Sequence, residues 1–95
     1  EAFIMAQATV LASGTTAAQS SDIVVLQGQP VTVGIFSAAP LPATTRCAIS
    51  IKGPTGSQVV GWLNGDTVAT TITAAGTYFV TRPVVAVAAG IFTEA

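Results

Sequence analysis

The chain has 95 residues, 51% of them apolar and only 7% charged, with 3 Lys and Arg against 4 Asp and Glu, a formal charge of −1 and no histidine. That length suits one domain with one modest core. Three scattered basic residues, Arg46, Lys52 and Arg82, cannot neutralise a run of phosphates, so no nucleic-acid partner is expected.

In chain order the signals are those of short strands: Val, Ile, Thr and aromatics in runs broken by Gly, Pro, Asn and Asp. The first strand is expected over about Ala6 to Ala12 and ends in the turn-like SGTTAAQSS. The opening AFIMAQATVLA has the hydrophobicity of a signal peptide, but it lacks a positive start and is interrupted by Gln7 and Thr9. It is expected to be a strand, with residues 1–5 a candidate N-terminal arm. Opening on Glu1 rather than Met, the chain is expected to have had something upstream removed, replaced or left out.

SDIVVL (21–26) follows, then the break Gln27-Gly28-Gln29-Pro30 and VTVGIFS (31–37), where Val31, Val33 and Ile35 alternate with Thr32, Gly34 and Phe36. AAPLPATT carries two prolines and is expected to be a loop. In RCAISIK (46–52), Cys47, Ile49 and Ile51 point one way and Arg46, Ala48, Ser50 and Lys52 the other. GPTGS is a tight turn, with Pro54 presetting φ and Gly56 free to take φ > 0. QVVGWL is expected to meet TVATTIT through a hairpin at Asn64-Gly65-Asp66. Ala74-Ala75-Gly76 then turns into TYFVTR, where Tyr78, Val80 and Arg82 share a face, and VVAVAAGIFT closes the chain. Arg82 is expected to carry its head out to the rim, and Pro83 to end strand pairing at an edge. No stretch has the length and composition of a stable helix. The run Val84 to Phe92 is far short of the ~20 residues of a spanning helix, so no membrane partner is expected.

Seven to nine short strands at about ten-residue spacing predict an all-β fold: one antiparallel β-sandwich domain over residues 1–95, with a jelly roll or small barrel as alternatives.

The chemical inventory is sparse. Without histidine no Ser-His-Asp or Cys-His set can be assembled, and Cys47 lacks a base. It is the only cysteine, so an intrachain disulfide is excluded; in its strand-like run it is expected to be a buried, inert thiol. Asp22 and Asp66 are expected to serve a strand start and a turn rather than acid–base work. Isolated carboxylates and one thiol predict no metal and no cofactor, and hence no enzyme. Trp62, beside the Asn64-Gly65 turn, is the candidate aromatic for a sugar ring or a partner side chain, with Tyr78 the other amphipathic aromatic. Packing norms for a sandwich this small favour a core position for both, Tyr78 with its hydroxyl bonded to backbone.

The low charge is the most informative feature. A surface of Thr, Ser, Ala, Gln and Gly suits a protein covered by neighbours, whereas a free monomer would tend to self-associate. The pattern SDIVVLQGQPVTVGIFS, followed by AAGTYFVTRP and a closing GIF, resembles the small immunoglobulin-like β-sandwich virion proteins of tailed bacteriophages, across roughly residues 20 to 93. The resemblance implies a capsid decoration or cement protein on the virion surface, without catalytic residues, whose partners are the major capsid protein and copies of itself. Phe3, Ile4 and Met5 at one end and Ile91 and Phe92 at the other are the expected contact residues. The alternatives are a carbohydrate-binding or adhesion module using Trp62, and a head–tail connector or tail subunit.

Overall fold

The computed structural model describes residues 7–95; Phe3, Ile4 and Met5 lie outside the described residues. Among these, nine strands form: β1 (Gln7–Gly14), β2 (Ala18–Gln19), β3 (Ile23–Val25), β4 (Val31–Phe36), β5 (Arg46–Gly53), β6 (Gly56–Asn64), β7 (Ala69–Ile72), β8 (Gly76–Arg82) and β9 (Ala89–Glu94). They make an all-β sandwich of two antiparallel sheets. Sheet A has the order β1-β9-β4-β7; sheet B has the order β2-β8-β5-β6, with β3 also paired to β8.

The period-two patterns decide which side chains go inside. In β4, Val31, Val33 and Ile35 are buried, and in β5 so are Cys47 and Ile49. They meet Ile23, Val25, Leu63, Tyr78, Val80, Ala89 and Ile91 in one apolar cluster. Each fully buried Val, Ile or Leu contributes about 1.5–3 kcal/mol, the main term holding the two sheets face to face. The Tyr78 ring is buried in this cluster and its hydroxyl donates to Ala74 O at 2.7 Å.

Only β2–β3 and β5–β6 stay within a sheet; every other connection crosses between the two. The β5–β6 hairpin turns through Pro54 and Thr55, with Gly53 opposite Gly56. The hairpin expected at Asn64-Gly65-Asp66 does not form, because β6 belongs to sheet B and β7 to sheet A. The Asn64 carboxamide oxygen accepts from the N–H groups of Asp66 (2.9 Å) and Thr67 (2.7 Å). These bonds turn the chain into the opposite sheet instead of folding it back on itself.

Strand order also corrects the expected edge. β8 is interior, flanked by β5 on one side and by β2 and β3 on the other. β9 lies between β1 and β4, so the apolar run from Val84 to Phe92 ends in the middle of sheet A. Pairing does stop at Pro83, where the chain leaves sheet B for sheet A.

Arg82 does not reach the rim. It is 3% exposed and points between the sheets. Its Nε donates to Thr16 O (2.8 Å), and its Nη1 to Ala12 O (2.9 Å) and Ala89 O (2.7 Å). A buried cation is tolerated only where its buried donors are satisfied, and here three carbonyl oxygens take the Nε and Nη1 donors. Those carbonyls belong to β1, the β1–β2 corner and the first residue of β9, so one side chain of sheet B ties down two crossovers and the end of sheet A. Gly14 leaves room for this: a Cβ there would lie 3.1 Å from Nη2.

Truncation in Arg82→Ala leaves those carbonyls buried without donors and is expected to cost about 3 kcal/mol or more in urea unfolding. Arg82→Lys should recover only part of this, because an ammonium lacks the planar fork that reaches separated acceptors. A loss below about 1 kcal/mol for Arg82→Ala would show that the clamp is dispensable.

Candidate functional site

The two long sides of the sandwich differ. Along one, β1 and the β2–β3 strand line are stitched together: Ser21 N–H donates to Val10 O (3.0 Å), and Arg82 closes the corner. Between β2 and β3, Ser20 pairs with Val80 through its backbone N–H (2.8 Å) and accepts from Val80 N–H through its hydroxyl (2.9 Å). Along the other side, the edges of β6 and β7 stand apart, and a cleft of about 470 Å³ opens between the sheets. Ile49, Ile51 and Tyr78 form its floor on sheet B, and Thr70 and Ile72 line it from sheet A. Ile51 and Ile72 are only half-buried, so the core is incompletely covered here.

A bulge in β6 shapes the mouth. Ser50 pairs with Val59 and Ile49 with Gly61, leaving Val60 as the extra residue. The bulge leaves the missing side chain of Gly61 over the cleft. Leu63 takes the core position and Trp62, opposite Ala48, the outer face. Trp62 is 45% exposed, which overturns its expected core placement. The Arg46 guanidinium covers one ring face at 4.1 Å from the centroid, and the indole lines the cleft mouth beside Val60. The signal for this was present in QVVGWL, where two consecutive valines and a glycine break the period of two.

The free edges also differ. β1 carries register shifts between Thr9 and Leu11 and between Leu11 and Gly14, β6 carries the bulge, and the β2–β3 line is interrupted. Such irregularities discourage another chain from pairing. β7 pairs with β4 in unbroken register and has neither charge nor proline. Ile35 N–H donates to Val68 O (2.8 Å), so antiparallel alternation puts ladder bonds at Thr70 and Ile72. It leaves the backbone groups of Ala69 and Thr71 facing out along the edge.

The other expected contact residues are separated by the pleat. Ile91 is buried in the core of sheet A, which corrects its assignment as a contact residue: it pairs with Ile35 on the inward face of an interior strand. Phe92 is on the outer face and half-buried. Its ring covers Gly34, its cross-strand partner, while Phe36 covers Gly90. A Cβ on Gly34 would lie 2.6 Å from the Phe92 ring, so each aromatic occupies the space of an absent side chain. The two rings are 6.4 Å apart and tilted by 55°. With Gln7 and Thr9 they line a shallow depression on this face.

Asp22 pairs with Lys52 at 2.9 Å in solvent, and Asp66 sits in the β6–β7 turn. Among the described residues no group of three or more His, Cys, Asp or Glu is placed to hold a metal ion. Burial pushes the Cys47 thiol above its usual pKa, opposed in part by the Arg82 guanidinium. The cleft offers instead an apolar floor, an indole and one open backbone edge, a combination that can hold a ring or an extended chain. Compared with known proteins, the chain matches no family model, no curated protein and no solved structure.

Trp62→Ala is expected to cost about 1 kcal/mol or less, as for an exposed cation–π pair, and native indole emission should be quenched readily by acrylamide. A loss of 3–5 kcal/mol would instead place the ring in the core. For Cys47, the folded protein keeps its proton after the unfolded chain has lost it. The corresponding stability is complete below the ordinary thiol value and is lost as pH rises through the folded-state value. The thiol should therefore resist Ellman's reagent at pH 8 in the native protein and react within minutes in denaturant; rapid native reaction would contradict its burial.

Proposed function

We propose that the chain is a non-enzymatic structural protein of a virion, a capsid decoration or cement protein that binds the outer capsid surface and bridges its subunits. The observation that carries this reading is the sparsely charged, partly apolar exterior. Val24, Val59, Val60, Trp62, Val68 and Val84 are exposed, and Lys52–Asp22 is the ion pair found among the described residues. A small free domain spreads charge over such a surface, whereas one covered by neighbours has no need to. Contact through apolar patches and strand edges is weak for one copy and adds up over a lattice through multivalency.

The segments that carry the resemblance to the phage proteins fall on structural elements: SDIVVLQGQPVTVGIFS supplies β3 and β4, AAGTYFVTRP leads into and out of β8, and GIF lies in β9. β4 with β7 in one sheet and β5 with β8 in the other follow the immunoglobulin arrangement. β9 departs from it, pairing with β4 and β1 rather than extending the β8 sheet. The partners in this reading are the major capsid protein and further copies of the chain. A connector or tail subunit would use the same surfaces and differ only in where on the particle the copies sit.

Trp62 favours a second reading, a carbohydrate-binding or adhesion module, because its indole is exposed at a cleft mouth with one face stacked on Arg46. That reading requires saccharide binding by isolated monomers that Trp62→Ala abolishes.

Light scattering after size exclusion and co-sedimentation with empty heads of a tailed phage test the first reading. The chain is expected to self-associate as its concentration rises and to pellet with the heads, saturably and without regard to added saccharides. A chain that stays monomeric at millimolar concentration and remains in the supernatant would overturn it.

A further inference from the structure

We propose that the β6–β7 cleft is the acceptor for an extended strand supplied by residues 3–5 of a second copy of this chain, paired along the free edge of β7. The inference rests on the assembly reading in taking the chain to self-associate, and it names the partner and the contact.

The acceptor calls for a strand. Among the described residues β7 is the one sheet edge that is both regular and uncharged, and the outward backbone groups of Ala69 and Thr71 form a short ladder without a partner there. Directly behind that edge, Ile51 and Ile72 leave the core half-covered. A segment added to β7 satisfies the ladder with its backbone and presents alternate side chains to the cleft. A globular partner could cover the mouth but could not enter between the edges.

The chain itself contains a suitable donor. EAFIMAQ holds Phe3, Ile4 and Met5 next to one another, and a period of two puts Phe3 and Met5 on the same face. These residues cannot serve their own cleft. Gln7 lies opposite Glu94, Glu94 opposite Thr32 and Thr32 opposite Thr71, so Gln7 is three strands from β7. At ~4.8 Å per strand that is about 14 Å, and a strand added beyond β7 lies near 19 Å. Phe3 is four residues from Gln7 and reaches at most about 14 Å even when fully extended, and Met5 only about 7 Å. Covalent reach alone makes the donor intermolecular.

Donor and acceptor also occupy opposite edges of sheet A, β1 and β7. The contact is therefore head-to-tail and leaves one donor and one acceptor unused at the two ends of the assembly until a ring closes.

Complementation tests this in the full-length chain. Phe3→Ser with Met5→Ser disables the donor and leaves the cleft intact. Thr71→Pro disables the acceptor by removing an outward N–H, which an edge strand tolerates without losing a bond to β4. Each variant alone is expected to run at the single-chain mass under conditions where the unaltered protein is oligomeric. Their equimolar mixture should form a dimer and no larger species, with a blue shift of Trp62 emission. The peptide EAFIMAQ in excess should dissociate the unaltered oligomer, and it decides the matter if Thr71→Pro fails to fold. Oligomers that persist in the donor variant, or resist the peptide, overturn the inference; if those oligomers still pellet with phage heads, the assembly reading stands without it. A chain that is monomeric throughout and ignores the heads overturns both.

Discussion

The structure depends on a single buried cation. Arg82 has no carboxylate partner among the described residues; its donors go to the carbonyls of Ala12, Thr16 and Ala89. The apolar faces would attract one another in many relative positions, because burial is non-directional. A planar guanidinium with fixed donor directions is not so permissive. By holding the β1–β2 corner and the start of β9 to the end of β8, it sets how far apart the sheets sit at that end and which way each crossover turns. No buried side-chain nitrogen or oxygen among the described residues is left without a partner, so this polar insertion is fully compensated.

The clamp also accounts for the asymmetry of the molecule. One long side is closed by Arg82, Ser20 and Ser21, with backbone and hydroxyl bonds filling the gap where β2 gives way to β3. The other side has no such stitching. There the Asn64 turn carries the chain from sheet B to sheet A, and the bulge at Val60 directs the two edges apart over Gly61. A stitched side and an open side on one small sandwich divide its work: one fixes the fold, the other is available for contact.

The fold class and the inward face of most strands were legible in the sequence, because period-two alternation in VTVGIF and RCAISIK is a local property. Tyr78 was legible from the packing norms of a small sandwich. What escaped was whatever depends on strand order. Asn64-Gly65 has the same side-chain chemistry whether the chain folds back into a hairpin or crosses to the facing sheet, so local pattern could not separate the two. Arg82 looked like an edge residue because its acceptors lie 7, 66 and 70 positions away. Ile91 looked terminal, and hence exposed, because nothing near it announces that β9 inserts between β1 and β4. The Trp62 error came from applying the packing norms of a small sandwich to β6, where the extra valine moves the indole outward and Leu63 inward.

The central position of β9 has a consequence for how the chain acquires its shape. Sheet A cannot assemble from the amino-terminal side alone, since β1 and β4 touch β9 and not each other. Until residues 89–94 emerge from the ribosome, β1 has no neighbour to zip against and the guanidinium lacks one of its acceptors. Folding must therefore be nearly all-or-none, with distant segments meeting late, a slow route for a sheet of this kind.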